Sequence, residues 1–389
     1  METGNREVVI VEAVRTPVGR GHEEKGYYKG EHASNLLAKT YSEVIARSGI
    51  EGSEVEDVIA GCVQMFGEQG MNIGRNAWLE AGLPIETPAT TLDRQCGSGQ
   101  QAVNFAAAQI GSGVLDVAIG SGVEHMGHIS FADGMQVMSE HGAAFSPELL
   151  EKYNLIPQGL SAEMIADQWE IPRSELDELA VRSHALAHQA TEEGRFEREI
   201  VPYQVNGDTF VTDQGIRPGT DIEKLAALKP AFKEDGKITA GNSSQISDGA
   251  AAVLLMERGK AEALGLKPRA RIVDQTTVGV DPVIMLTGPI PATRKILERN
   301  GMTMDDIDLV EINEAFAPVV AAWQRELDAD MDRVNVNGGA MALGHPLGST
   351  GARLITTLLH ELERSDKQVG LVTMCCGGGL GTGTLIERV

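Results

Sequence analysis

Cys96 stands in Asp93-Arg-Gln-Cys-Gly-Ser-Gly-Gln-Gln, between a predicted strand and a glycine-containing helix start. Free backbone N–H groups and the helix dipole at such a point favour a thiolate. An unperturbed thiol, with a pKa of about 8.5, is only a few per cent ionised at neutral pH and needs such help to act as a nucleophile. Alone, Cys96 reads equally well as a buried structural cysteine. A second stretch, Asn337-Gly-Gly-Ala-Met-Ala-Leu-Gly-His-Pro-Leu-Gly-Ser-Thr-Gly351, frames His345 with five glycines and Pro346. A histidine there suits a general base or an N–H donor to an oxyanion, because glycines let backbone come close to a substrate. A third, Thr373-Met-Cys-Cys-Gly-Gly-Gly-Leu-Gly-Thr-Gly383, sets Cys375 and Cys376 at a strand end just before Gly377. A thiol and backbone N–H donors would meet at that point. Glu311-Ile-Asn-Glu-Ala-Phe316 leads from a strand into a helix, with Pro318 in its first turn. Asn313 and Glu314 there serve as caps, or hold a water or a histidine.

The bulk properties narrow the chemistry further. The glycine spacings fit neither a phosphate-binding loop followed by Lys-Ser/Thr nor a dinucleotide fingerprint, and Gly120-Ser-Gly122 lacks the third glycine that a nicotinamide dehydrogenase needs. The four cysteines, Cys62, Cys96, Cys375 and Cys376, show no paired metal spacing, and the adjacent pair is a poor disulfide candidate. Reduced thiols point to a cytoplasmic protein. A net charge of −23, from 56 acidic and 33 basic residues, makes nucleic acid and anionic membranes poor partners. Only 12 of those basic residues are lysine, and an acid-rich, lysine-poor surface suits high salt. No uncharged apolar run is long enough to span a bilayer, and the N-terminus runs into a strand without the apolar core of a signal peptide. No metal, flavin or nicotinamide is implied.

These residues need a layered scaffold, and a chain of 389 residues calls for two or three domains. Apolar β-rich runs alternate with Ala/Leu helical patterns, which predicts an α/β architecture with buried strands. Strands are expected at Val8–Val14, Val55–Val63 and Asp116–Gly120, and helices at Leu36–Ser48 and Ser98–Ile110. The plan recurs. With Gly99 set against Gly351, an offset of 351 − 99 = 252, the helix after Cys96 falls on the helix after His345, and Val117-Ala-Ile falls on Val369-Gly-Leu. Two similar halves with a site between them follow from this pattern. The stretch from about Glu124 to Gln245 breaks the rhythm, with a helical part from Ser161 to Arg195, and reads as an insertion folded over the site.

Taken together, the nucleophile block, the Ser-Asp-Gly-Ala block, Asn-Glu-Ala-Phe, Gly-His-Pro and Cys-x-Gly-Gly-Gly resemble the thiolase family in order along essentially the whole chain. The resemblance implies a duplicated five-layer α-β-α-β-α fold. The N-terminal half would comprise residues 1–123 plus 246–267, the inserted loop domain 124–245, and the C-terminal half 268–389. It further implies that Cys96 carries the acyl group and that His345 activates it and helps bind the thioester oxygen. Cys375 would be the second thiol, acting as acid and base, and Cys376 a packing residue. Asn313 would hold a water completing one oxyanion hole, and the N–H groups of Cys96 and Gly377 would form the other. Coenzyme A would be a substrate, with no permanently bound cofactor. Ser244 would meet its pantetheine arm, Arg217 and Lys224 its nucleotide end, and Met285 and Phe316 would line the acyl and pantetheine channel.

The implied activity is thiolytic cleavage of 3-ketoacyl-CoA, or the reverse condensation, by a homodimer or homotetramer. Two stretches resemble the β-oxidation branch, Gly122-Val-Glu-His-Met-Gly-His and Asp281-Pro-Val-Ile-Met-Leu-Thr-Gly-Pro-Ile-Pro-Ala-Thr-Arg. The second is similar to thiolases acting on steroid side chains. Pro157-Gln-Gly159 departs from the His-Met-Gly or Met-Met-Gly common in the family, which bears on the acyl pocket. A decarboxylating ketosynthase would pair one cysteine with two histidines or with a histidine and an asparagine, and Cys375 before three glycines argues against it. A non-catalytic scaffold would lack at least one of these side chains, and all are present.

Overall fold

In the computed structural model, residues 6–389 are described. The main strands are β1 (Val8–Arg15), β2 (Asp57–Gly61), β3 (Ala89–Leu92), β4 (Val117–His125), β5 (Ser247–Glu257), β6 (Ala270–Gly279), β7 (Leu309–Ile312), β8 (Val369–Cys376) and β9 (Leu380–Arg388). They join edge to edge in the order β7-β8-β9-β6-β1-β5-β4-β2-β3. The β2–β3, β2–β4 and β7–β8 pairs are parallel and the other pairs antiparallel. The link between the halves is short, since β1 shares seven register pairs with β5 but only two with β6.

Eight helices matter for the site: α1 (Ala33–Ser48), α2 (Ile73–Glu80), α3 (Ser98–Gly111), α4 (Gln158–Gln168), α5 (Arg173–Glu192), α6 (Pro289–Asn300), α7 (Ala317–Leu327) and α8 (Leu347–Arg364). Each half-sheet is apolar on both faces, so successive residues of one strand feed different cores. In β1, Val9 and Val11 pack with Leu37, Tyr41 and Trp78 of α1 and α2. Their neighbours Val8 and Ile10 pack with Val103, Ile110, Leu354 and Leu358 of α3 and α8. On the far side, Leu371 and Leu385 meet Ile296 and Trp323 of α6 and α7. The result is the expected five layers, with α3 and α8 as the central one.

The offset of 252 residues has a physical meaning at that layer. α3 and α8 cross at the glycines it pairs. A Cβ on Gly351 would lie 2.2 Å from the Gln100 nitrogen, and one on Gly99 2.7 Å from the Gly348 oxygen. Only glycine permits this approach. The strands obey the same offset, β2 matching β7 and β4 matching β8. β3 has no full counterpart, only a single Val310–Val334 bridge, so it forms a free edge.

Three local expectations shift. The strand predicted at Val55–Val63 is shorter, because a tight turn at Gly52–Glu54 starts it late and the Glu124 carboxylate takes the N–H groups of Val63 and Gln64 at its end (2.9 and 3.1 Å). β4 runs on to His125, paired with β5 along its length. The helix predicted at Ser161–Arg195 is two helices, broken where Glu170 turns to positive φ and Pro172 follows. The segment after β4 is tied to β1 by the fully buried Arg15, which donates to Glu199 (2.5 Å) and to both oxygens of Asp213 (2.7 and 2.9 Å). Among the described residues no helix is long and apolar enough to cross a membrane.

Replacing Gly351 by Ala forces the central helices apart. The cost is expected at the upper end of overpacking, about 3 kcal/mol or more, read as a lower urea midpoint. An unchanged midpoint would show that the crossing tolerates a methyl group.

Candidate active site

The crossing brings two helix N-termini together. α3 is entered through a tight turn in which Gln95 has φ +52 and the Ser98 hydroxyl donates to the Gln95 carbonyl (2.6 Å). Cys96 therefore sits at the helix mouth, almost fully buried. His345 and Pro346 immediately precede α8. Cys375 is the penultimate residue of β8, and the chain then turns back into β9 through Gly378 and Gly379, at φ +80 and +79. This left-handed turn explains the glycine run. It aims the Gly377 N–H at the Cys96 sulfur, where it acts together with the N–H of Cys96 itself. Cys375 lies near enough that charge on Cys96 raises its own pKa. Charge on Cys96 raises Cys376 as well, but Cys376 is the next residue along the strand, and its sulfur packs where a Gly97 side chain would start, 2.6 Å away.

His345 is oriented by its surroundings. Thr350 donates its only hydroxyl proton to the Pro346 carbonyl (2.8 Å), so at 2.6 Å from His345 Nδ1 its oxygen must accept. Nδ1 thus carries the proton, and Nε2 presents a lone pair. The Asn313 amide nitrogen lies 3.3 Å from that Nε2, while Asn313 Oδ1 is buried without a partner among the described residues. A buried acceptor of this kind calls for a water. Asn313 is fixed by its own N–H, which donates to the Thr373 carbonyl at 3.1 Å.

Burial sets the electrostatics. It pushes the Cys96 thiol up to about 11, against the lowering effect of the Gly377 and Cys96 N–H groups. It pushes His345 down to about 3, helped by the Arg353 charge. The thiolate expected from the helix mouth is therefore outweighed in the free protein. Burial thus favours the neutral form of both the thiol and the imidazole.

The other expected positions spread out. The Ser244 N–H donates to the Ala315 carbonyl at 2.9 Å, and Ser243 bridges to Phe316, so the serine loop lies against the segment that carries Asn313. Met285 and Phe316 share an apolar cluster with Cys375, and Phe316 meets Phe232 edge-on at 6.0 Å. Arg217 and Lys224 are not brought to the thiols. Both are exposed on the insertion, and Lys224 pairs with Asp221 at 2.8 Å.

Two further side chains belong to the site. Glu124, fully buried, gathers the N–H groups of Val63, Gln64 and Gly348 (2.9, 3.1 and 2.8 Å) and the Gln69 amide (2.8 Å), binding the end of β4 to the start of α8. Its place in the Gly122–His128 motif hinted at importance but not at this role. Gln158, at the departure from the family pattern, brings its amide nitrogen to 2.6 Å from where a Gly377 Cβ would be. A polar amide thus stands beside Gly377.

Residues 8–259 match the family description "Thiolase, N-terminal domain" and residues 266–388 "Thiolase, C-terminal domain". The chain belongs to the thiolase family. It is 46% identical to a steroid 3-ketoacyl-CoA thiolase of Mycobacterium tuberculosis, over 98% of this chain and 94% of that protein. It is 45% identical to a 3-ketoacyl-CoA thiolase of Alcanivorax borkumensis over the full length of both. Among solved structures, the Bacillus anthracis acetyl-CoA acetyltransferase superposes with a TM-score of 0.90 at 40% identity, covering all of both chains. The duplicated α/β fold and the acyltransferase class expected from the sequence are those of this thiolase.

Because burial stabilises the protonated thiol, alkylation of Cys96 by iodoacetamide in the free thiolase should climb about tenfold per pH unit from pH 7 to 9.5 without levelling. Peptide mass spectrometry reads the site. A plateau below pH 8 would contradict the neutral resting pair.

Proposed function

We propose that this thiolase transfers acyl groups between Cys96 and coenzyme A, cleaving 3-ketoacyl-CoA to acetyl-CoA and a shortened acyl-CoA, or running the reverse condensation. The reading is supported by Cys96 and Cys375, from different halves, lying close enough for charge on Cys96 to raise Cys375, with the Gly377 N–H favouring the Cys96 thiolate. In cleavage, Cys96 passes its proton to the lone pair on His345 Nε2, and its sulfur attacks the 3-keto carbonyl. The oxyanion is held by the N–H groups of Cys96 and Gly377. The C2–C3 bond then breaks, and the acetyl-CoA enolate takes a proton from Cys375. Its thioester oxygen is held by the new His345 Nε2–H and by a water on Asn313. The CoA thiol next gives its proton to Cys375 and attacks the acyl group. Cys96 leaves and recovers its proton from His345.

On this reading CoA is a substrate and nothing is permanently bound. Ser244, Met285 and Phe316 guide the pantetheine arm, and the exposed Arg217 and Lys224 suit the nucleotide phosphates. The inserted domain (124–245) thus carries most CoA contacts, while the two halves (1–123 plus 246–267, and 268–389) carry the reacting groups. The free edge of β3 fits pairing with a second copy, and the assembly is taken as a homodimer or homotetramer in the cytoplasm. The relatives named for 3-ketoacyl-CoA and for steroid substrates support a 3-ketoacyl-CoA, with Gln158 setting which acyl group fits.

CoA-dependent thiolysis of 3-ketoacyl-CoA with four to sixteen carbons, in low and high salt, tests the proposal. Cys96→Ala should abolish cleavage and Cys375→Ala nearly so, while Cys376→Ala retains it. Asn313→Ala should lower kcat by about 10²–10³. Cleavage that survives Cys96→Ala would overturn the mechanism. Gln158→Met should move the preferred chain length and KM more than kcat, measured over the same substrate series.

A further inference from the structure

The proposed reaction divides its substrate in two. The part that leaves as acetyl-CoA lies toward Cys375, and the part kept on Cys96 lies toward the Gly377 N–H. The Cys375 side is apolar: Met285, Leu286 and Phe316 share its cluster, and Phe232 meets Phe316 edge-on. The Gly377 side differs. A side chain on Gly377 would start 2.6 Å from Gln158 Nε2 and 3.2 Å from Gln95 Oε1. Two amides from distant parts of the chain, one entering α4 and one in the turn before α3, thus converge on the residue whose N–H favours a thiolate on Cys96.

Each amide has a fixed sense. Gln95 is held at φ +52, where its backbone N–H donates to Asp93 Oδ1 at 2.5 Å. Its side-chain nitrogen donates to both Asp93 oxygens, at 3.3 and 3.0 Å. A carboxylate only accepts, so the Gln95 nitrogen faces Asp93 and its oxygen faces Gly377. The nitrogen of Gln158, rather than its oxygen, suits the side of that oxygen. Both residues are half-buried, and among the described residues Gln95 Oε1 and Gln158 Nε2 have no hydrogen-bond partner, each other included. An acceptor and a donor therefore stand free at one glycine, beside the seat of the acyl group.

Desolvation decides what this corner prefers. A plain alkyl chain takes water from both amides and returns nothing, which counts against binding. A hydroxyl replaces both lost bonds at once, because it accepts from Gln158 and donates to Gln95. A ketone or a carboxylate answers only the donor. A carboxylate is opposed further by Asp93 and Glu124, whose charges already reach Cys96, while Arg94 in the same turn acts on Asp93.

We infer that the acyl group this thiolase prefers carries a hydroxyl a few carbons beyond the reacting carbonyl, held between Gln158 and Gln95. The inference rests on the thiolase reading of Cys96 and adds a substrate class to it: a hydroxylated 3-ketoacyl-CoA, in preference to one with a plain or acid-ended chain. Gln95 becomes a specificity-determining residue beside Gln158.

The full-length thiolase is assayed for CoA-dependent cleavage of four substrates of six carbons: 3-ketohexanoyl-CoA, its 5-hydroxy and 6-hydroxy forms, and 3-ketoadipyl-CoA. At least one hydroxy form should exceed the plain chain about tenfold in kcat/KM, mainly through KM, and the diacid should not exceed it. Gln158→Met and Gln95→Leu should each bring the ratio of hydroxy to plain substrate close to one. A general loss of folding or activity lowers both alike and leaves that ratio unmoved. Three results would overturn the inference and leave the thiolase reading standing: equal or better cleavage of the plain chain, a preference for the diacid, or a hydroxyl preference that survives both substitutions. No cleavage of any of the four would overturn both.

Discussion

The close crossing of α3 and α8 is the constraint on which the rest depends. Where their backbones touch, at Gly99 and Gly351, nothing larger than hydrogen fits. That contact fixes the distance between the helices and the relation of the two halves. Because Cys96 stands three residues before Gly99, and His345 six before Gly351, the same contact also fixes the proposed nucleophile relative to its proposed base. Polar ties in the same layer hold the register. The Gln100 amide donates to the Val372 carbonyl (3.0 Å) and to Thr384 (2.7 Å), and Thr384 donates to Asn104 (2.8 Å). Such buried, satisfied amides specify one arrangement, whereas apolar packing alone would allow sliding.

Placing the chemistry in this dry layer decides its electrostatics. Water would leave Cys96 partly ionised and His345 ready to take a proton near neutrality. Burial drives the two pKa values apart, to about 11 and about 3. On the proposed mechanism, an ion pair between them is stable only when a developing oxyanion and its N–H donors are also present, which couples charge separation to the reacting carbonyl. Arg353 and Glu311, buried 3.8 Å apart beneath the site, belong to the same economy. Burial raises Glu311 to about 8, against the lowering influence of Arg353. The Arg353 charge in turn disfavours a proton on His345.

The sequence was most legible where local backbone demands and chemistry coincide. Cys96 and Asn313 sit between a strand and a helix, His345 between glycine and proline at a helix start, and Cys375 at a strand end before a glycine turn, so residue type and spacing sufficed to single them out. The duplication was legible for the same reason, because Gly99 and Gly351 are both demanded by one contact. Glu124 was less so, because its role depends on N–H groups at residues 63, 64 and 348, far apart in the chain. The pairing of Gln95 with Gln158 carries no spacing motif, and only the turn at Gly377 brings the two amides to one place. The break at Pro172 was missed because continuous helical periodicity outweighed a single proline in the reading, whereas the ring's clash and missing N–H settle the matter locally.

On the proposed mechanism, chemistry and specificity are carried by different parts of the molecule. The proposed reacting groups come from the mouths of the two central helices, the loop after β7 and the end of β8. From the insertion, the amide of Gln158 at the entry to α4 stands beside Gly377, with Phe232 packed over Gly159. The insertion is held by the Arg15 pairs to Glu199 and Asp213, which anchor its later part to β1, while α4 is positioned by apolar packing and by Ser161 on the Val283 carbonyl and Glu163 on the N–H groups of Lys237 and Ile238. A change at residue 158 therefore reaches the acyl group without disturbing the helix crossing. In this arrangement a pocket can be altered for a new acyl chain while the neutral thiol–imidazole pair, which depends only on the central layer, keeps its function.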